Sequence, residues 1–132
     1  MSISIDHGAD ARWLVARAAG ELGLDEAVLF LRTARSKGEA RHAALLFDAT
    51  GAKTRMTEAD VERMVDEVSA VKRRGEEREH VAIVADDDAL YSLLLQYEMR
   101  CAEIGVRVIR VFRHVPDAEH WLAAMVGARH FR

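Results

Sequence analysis

The segment from Glu79 to Phe112 has the pattern of a strand, a helix and a second strand. Val81 to Ala85 is a short, uninterrupted apolar run, typical of a strand that is covered on both faces. Asp86 to Asp88 end this run and suit the start of a helix, because carboxylates accept hydrogen bonds from its free N–H groups. Gly105 ends the helix, and Val106 to Phe112 is rich in strand-forming residues. The inner face of the helix is predicted from apolar residues three or four positions apart: Leu90, Leu93, Leu94, Tyr97, Cys101 and Ile104.

This βαβ unit constrains how the rest of the chain can fold. Its two strands are expected to lie parallel, with the helix crossing over in the right-handed sense. A further strand, Ala43 to Phe47, and a helix beginning near Thr57 precede the unit, and a helix containing Pro116 follows it. The predicted order is ββαβαβαβα, an α/β fold with a mixed sheet of about five strands and helices packed on it.

The N-terminal part of the chain predicts a hairpin followed by a helix. Met1 to Ile5 alternates polar and apolar residues, and Arg12 to Ala19 is a second candidate strand. Because residues 6–10 form only a short turn, the two strands should pair antiparallel. Gly20 to Gly23 breaks the pattern, and a helix is expected from Leu24 to about Ser36.

The later helices carry recognisable end signals. Thr57 and Asp60 have the spacing of a capping box, in which each residue satisfies a backbone N–H of the other. Pro116 suits a first helical turn, where its missing N–H costs little. Residues 127–132 are expected to be a frayed tail. No linker divides the chain, so residues 1–132 are predicted to form a single domain.

Composition narrows the class of protein. The chain has 132 residues, of which 50% are hydrophobic, enough for one domain with a core. Its net charge of −3 gives no electrostatic drive towards nucleic acid or anionic membranes. A single cysteine excludes an internal disulfide and suits a reducing compartment. Since neither a signal peptide nor a membrane-spanning run is found, we predict a cytoplasmic protein.

Several sequence pieces resemble the SpoIIAA-like fold of STAS domains, which are named for sulphate transporters and anti-sigma-factor antagonists. Small bacterial STAS-like proteins of unknown role combine an Ala-Val-Val strand, a Tyr-Glu-Met helix, a Val-Phe-Arg strand and an Ala-x-x-Trp-Leu helix. The matching pieces are Val81 to Ala85, Tyr97 to Met99, Val111 to Arg113 and Ala118 to Leu122, together with the strand end Asp48 to Gly51. The resemblance implies a SpoIIAA-like, STAS-like domain, and since these motifs serve packing, it implies fold more than activity.

The resemblance also bears on a phosphorylation switch. Sigma-regulating antagonists carry a phosphorylatable serine in an Asp-Ser-x-Gly turn before a helix, whereas this chain has Lys53 to Thr57 there, without serine. Thr54 and Thr57 are the candidate phospho-acceptors, because a helix N-terminus favours phosphate. The competing interpretation is that Thr57 is simply the helix cap, which is the commoner role of threonine at such a position.

Acidic residues are expected at one edge of the sheet. Asp48 follows the third strand and Asp86 to Asp88 follow the fourth, so they should meet where ligand crevices of open α/β sheets lie. Clustered carboxylates can hold Mg²⁺. The competing and commoner role is the capping of helices.

Histidine and cysteine give little sign of a metal or catalytic site. Cys101 lies on the apolar face of its helix and is expected in the core. The six histidines lack the spacing of metal ligands. No metal and no cofactor is therefore predicted. The histidines are His7, His42, His80, His114, His120 and His130.

The leading hypothesis is a non-enzymatic regulatory or interaction module of STAS-like type, which binds a protein partner or a small ligand. The alternatives are a small-molecule or lipid carrier with an apolar pocket, and an enzyme with an acidic metal site at Asp48 and Asp86. The outer edge of the N-terminal strand also suggests a homodimer. The predicted ligand or partner surface comprises Asp48, Thr50, Thr54, Thr57, Asp86, Asp87 and Tyr91.

Overall fold

The computed structural model describes residues 2–7, 12–36, 44–76 and 78–129. Within these ranges the chain forms strands and helices in the order ββαβαβαβα, with two additional short strands. The strands are β1 Ser2–His7, β2 Leu14–Ala19, β3 Glu21–Leu22, β4 Leu45–Asp48, β5 Lys53–Thr54, β6 Val81–Val84 and β7 Ile109–Phe112. The helices are α1 Leu24–Ser36, α2 Glu58–Arg73, α3 Asp88–Glu103 and α4 Val115–Arg129.

The main sheet has five strands in the order β1-β2-β4-β6-β7. The first two strands pair antiparallel, as a short hairpin connection requires. Each later pair is parallel, because a helix returns the chain to the start of the next strand. The predicted mixed sheet, its hairpin and its parallel βαβ units are thereby confirmed.

A second sheet of two short strands was not predicted. β3 and β5 pair parallel over two residues each, and Lys53 donates its backbone N–H to the Gly20 carbonyl at 2.9 Å. Sequence periodicity cannot reveal strands of this length, so the segment from Gly20 to Gly23 was wrongly expected to be only a break.

The ends of the N-terminal strands differ from the prediction. β1 continues through His7, so residues 6 and 7 belong to a strand and not to a turn. β2 begins at Leu14, two residues later than predicted. β4 includes Asp48, since its backbone continues to pair with the neighbouring strands. Predictions for residues 1, 8–10 and 43 concern positions outside the described residues.

The C-terminal elements also have shifted bounds. β6 ends at Val84 and β7 begins at Ile109, so each is shorter than its apolar run. Helix α4 extends to Arg129, which corrects the prediction of a frayed tail for residues 127–129. Residues 130–132 of that predicted tail lie outside the described part of the chain.

Both faces of the main sheet are covered. Leu14 and Ala16 of β2 join the larger apolar cluster, which packs against α1, α2 and α3, whereas Val15 joins the cluster that packs against α4. The same alternation explains why the central strand β6 is apolar throughout, since a strand covered on both faces has no polar side. Among the residues predicted on the inner face of α3, Ile104 is exposed, because it lies at the end of the helix.

The helices in the described part of the chain are too short or too polar to cross a membrane.

Candidate functional site

The carboxyl ends of β4 and β6 bring the predicted acidic residues to one edge of the sheet. Asp48 is paired in register with Val84, and Asp86 follows two residues later. We call the polar surface at this edge the strand-end surface. It comprises Asp48, Thr50, Gly51, Asp86, Asp87, Asp88, Tyr91 and Arg113.

Asp48 organises the turn that follows β4. Its Oδ1 accepts hydrogen bonds from the backbone N–H of Thr50 at 3.0 Å and from the Thr50 hydroxyl at 2.5 Å. Arg17 on the neighbouring strand lies with its Nε 4.0 Å from the other carboxylate oxygen. The Asp48 side chain therefore holds the backbone of this turn, as aspartate does in many turns.

Asp86 joins the two loops at this edge. Its Oδ1 accepts a hydrogen bond from the backbone N–H of Gly51 at 2.9 Å. Gly51 has a φ of 82°, a left-handed conformation that favours glycine. The contact spans 35 positions of sequence and fixes the loop after β4 against the loop after β6.

The next two acidic residues begin α3. Asp87 is the N-cap, and its carboxylate accepts from the backbone N–H of Leu90 at 3.0 Å. Asp88 is highly exposed and forms an ion pair with Arg113, which follows β7. The Arg113 guanidinium also lies 4.7 Å from the centre of the half-buried Tyr91 ring. Arg113 was missed in the sequence, although its position just after a parallel strand is the same signal that identified Asp86.

The hydroxyl groups of Thr54 and Thr57 both form hydrogen bonds with the backbone. The hydroxyl of Thr54 donates to the Leu22 carbonyl at 2.7 Å and accepts from the Met56 N–H at 3.0 Å. Thr57 is the N-cap of α2 and forms the predicted capping box with Asp60. Both hydroxyls therefore stabilise local structure, and Thr57 is the more exposed of the two.

Three of the acidic residues accept hydrogen bonds from the backbone of a turn or of a helix N-terminus. Asp48, Asp86 and Asp87 each accept hydrogen bonds from different backbone groups, so their carboxylates point to separate partners. Among the described residues, no group of three or more histidine, cysteine, aspartate or glutamate side chains is arranged to hold a metal ion. The strand-end surface is thus a hydrogen-bonded polar surface.

Two cavities lie away from this surface. An open groove of about 400 Å³ runs between α2 and α3 and is flanked by an ion pair in which Arg100 contacts Glu62. A smaller, mostly apolar cavity of about 80 Å³ lies among α1, α2, α3 and the amino ends of the parallel strands. Sites that enclose drug-sized ligands have volumes of roughly 300 Å³ or more, so the apolar cavity is small for a carrier.

Cys101 and His80 are held in structural positions. Cys101 is fully buried on α3, and burial raises the pKa of its thiol to about 12. Such a thiol remains protonated at neutral pH and is a poor nucleophile. The ring of His80 packs against Trp121, with centroids 5.7 Å apart, and burial lowers the pKa of this imidazole.

Comparisons with known proteins bear on the fold. No protein-family model matches the sequence, and no curated protein is significantly similar to it. A crystal structure of an uncharacterised protein of the DUF3478 family with a SpoIIAA-like fold, from Shewanella loihica PV-4, superimposes with a TM-score of 0.56. The similarity covers 92% of each chain at 18% sequence identity. At that identity the likeness concerns fold alone, and the chain therefore has the SpoIIAA-like, STAS-like fold that its sequence resembles.

Proposed function

We propose that the protein is a non-enzymatic interaction module of STAS-like type, which binds a protein partner through the strand-end surface. The observation that carries this proposal is the hydrogen bond from Gly51 to Asp86, which holds two exposed loops in a fixed relation. A surface that is ordered before binding loses less conformational entropy when a partner docks. The partner that the module binds would define the process that it regulates.

The chemistry of the surface supports a polar partner. Thr50, Asp86 and Asp88 are exposed, and Arg113 places a guanidinium beside them. The surface thus offers carboxylates, a hydroxyl and one paired cation. Charged groups of this kind at the rim of an interface guide association and set specificity more than they add affinity.

The alternatives have less support. A small-molecule or lipid carrier would need an enclosed apolar volume larger than the cavity of about 80 Å³ beneath the helices. The groove of about 400 Å³ is larger, but it is open and its lining includes the charged side chains Glu62, Arg100 and Glu103. An acidic metal site would need Asp48 and Asp86 to turn towards one ion, but both accept hydrogen bonds from the loop between them. A small ligand bound at the strand-end surface is the competing outcome, and native mass spectrometry distinguishes it from a protein partner.

Site-specific photocrosslinking in the native cell tests the proposal. A photoreactive phenylalanine analogue is placed at Asp88, which belongs to the strand-end surface, and at Arg107, an exposed residue before β7, as the matched control. We expect a covalent adduct with one protein from position 88 and none from position 107. Excess wild-type protein should suppress the adduct. Equal crosslinking from both positions, or none from either, would contradict the proposal.

Native mass spectrometry separates the two kinds of ligand. Protein purified from its own cell without added ligand is sprayed under non-denaturing conditions. A bound protein partner adds thousands of daltons, whereas a small ligand adds a few hundred. A small-molecule adduct that persists when Asp88 is replaced would favour a carrier over the proposed module.

Self-association is a further part of this proposal. β1 is an edge strand of the main sheet, and an open edge is a route to pairing between copies. We propose a homodimer formed through that edge. Light scattering at high micromolar concentration should give the dimer mass, and a monomer mass there would overturn it.

A further inference from the structure

The other edge of the main sheet is formed by β7. Within the described residues, this strand pairs with β6 on one side only. The carbonyls of Val108 and Phe112 accept hydrogen bonds from the β6 side at 2.8 and 3.0 Å. Because alternate residues of a strand direct their backbone groups to opposite sides, Ile109 and Val111 direct their N–H and C=O groups to the outer edge.

A side chain from α3 reaches this outer edge. The backbone N–H of Val111 donates a hydrogen bond to Oε1 of Glu98 at 2.7 Å. This distance lies at the short end of the usual range for an N–H···O hydrogen bond. The Glu98 oxygen occupies the place that a carbonyl of a sixth strand would take, and the side chain is half-buried between α3 and β7.

The strand beneath Glu98 has the composition of a segment that pairs readily. Residues 106–112 contain three valines, an isoleucine and a phenylalanine, interrupted by Arg107 and Arg110. Segments of high β-propensity at a sheet edge are templates for pairing with other chains. Arginine gatekeepers and a blocked backbone group are two ways to prevent this.

A second copy of the same chain is the partner that this edge fits. An antiparallel two-fold pairing centred on Val111 would place Arg110 of each copy opposite Phe112 of the other. Arginine and phenylalanine side chains can form a cation–π contact. Within one strand, the Arg110 guanidinium already lies 5.6 Å from the centre of the Phe112 ring. Two-fold pairing of identical surfaces is also the commonest form of assembly.

We propose that the Glu98 carboxylate is an edge cap, which occupies the outer edge of β7 and prevents a second copy of this chain from pairing there. The cap is independent of the strand-end surface and of the β1 edge. It acts through the hydrogen bond to Val111, so a side chain that cannot make that bond should leave the edge open.

Light scattering and hydrogen exchange test the edge cap. Glu98→Ala removes the acceptor, and Glu98→Asp keeps the charge but is one methylene shorter. Glu119→Ala, at an exposed position on α4, is the matched control for loss of a glutamate. At high micromolar concentration we expect the mass of both Glu98 variants to be at least twice that of the wild type, because copies that also pair through β1 would join into longer assemblies. The mass of Glu119→Ala should equal that of the wild type.

The Val111 amide gives the second readout. At low concentration its exchange should accelerate in both Glu98 variants and remain unchanged in Glu119→Ala. If Glu98→Ala does not fold, as judged by circular dichroism, Glu98→Asp alone decides the outcome. Wild-type mass in the Glu98 variants overturns the proposal, even where exchange at Val111 accelerates. An equal rise in mass for Glu119→Ala also overturns it, because charge loss would then be the cause.

Discussion

Thr57 illustrates how one hydroxyl can serve either a fold or a switch. Its side chain accepts from the Asp60 N–H, and the Asp60 carboxylate accepts from the Thr57 N–H in return. Phosphate at this position would gain from the helix dipole but would lie beside the acidic Glu58 and Asp60. Since like charges repel, the surrounding first turn favours the neutral cap.

We predict that Thr57→Ala lowers the free energy of unfolding by about 0.5–2 kcal/mol, the usual cost of losing an N-cap. Thr57→Asp should restore most of this loss, because aspartate caps as well as threonine. Urea titration measures both, with Ser92→Ala at an exposed position of α3 as the control. If Thr57→Ala leaves the free energy of unfolding unchanged, or if Thr57 is phosphorylated in protein from the native cell, the residue is not simply a cap.

At the scale of elements, helix α4 depends on fewer buried side chains than its apolar sequence implies. Ala118 and Leu122 are fully buried against the sheet, whereas Trp121 is only half-buried. The indole lies against Phe112 and His80, with ring centroids 5.8 and 5.7 Å apart. Helical spacing predicts Trp121 on the inner face with Ala118 and Leu122, but the indole lies at the border of that face.

This difference gives a second prediction. Leu122→Ala should lower the free energy of unfolding by about 2–5 kcal/mol, the range for a buried leucine. Trp121→Ala should cost less, about 1–3 kcal/mol, because part of the ring is already in water. Denaturant titration of the two variants under one set of conditions gives the comparison. A greater loss for Trp121→Ala would mean that the indole, and not Leu122, anchors the helix.

Local patterns predicted most of the main elements, and pairings between distant segments account for most of what they missed. Runs such as Val81 to Val84 identify a strand by themselves, and the helix between two strands implies their direction. The pairing of β3 with β5 joins segments about 30 residues apart and leaves no periodic signal. Likewise, the Glu98 contact depends on β7 being an edge strand, which sequence order alone does not determine.

The placement of the acidic residues at one edge of the sheet was predicted, whereas their contacts were not. Asp48 and Asp86 lie at the carboxyl ends of two strands predicted to be parallel, which implied that they would meet at one edge of the sheet. The hydrogen bonds that each carboxylate makes depend on which backbone N–H groups lie nearby. Asp86 accepts from the N–H of Gly51, a contact that the sequence does not reveal. Arg113 completes the surface because β7 lies next to β6, a neighbour relation that the βαβ pattern implies but does not require.

For the molecule as a whole, His80 contacts both the main sheet and helix α4, at the amino end of the parallel strands. Its carbonyl accepts from the Leu45 N–H at 2.9 Å, and its ring packs against Trp121 of α4. Burial disfavours the charged imidazole and lowers the pKa of His80 in the folded protein. The unfolded chain, with a histidine pKa near 6.5, therefore takes up a proton at a higher pH than the folded chain does.

The sign of the resulting pH dependence follows from proton linkage. Where the unfolded state binds more protons, stability rises with pH. The contribution of His80 is thus fully present above a pH of about 6.5 and is lost as the pH falls below that value towards the lowered pKa of the folded state. We predict that the wild type loses more stability than His80→Gln between about pH 7.5 and about pH 5.5.

Urea titration at the two pH values measures the difference, and the change with pH, not the absolute stability, is the relevant quantity. His80→Gln also loses a ring contact with Trp121 and should be less stable at both pH values. His114→Gln, at an exposed position, is the matched control for removal of a histidine. If His80→Gln and the wild type lose the same stability on acidification, the half-buried imidazole does not couple protonation to folding.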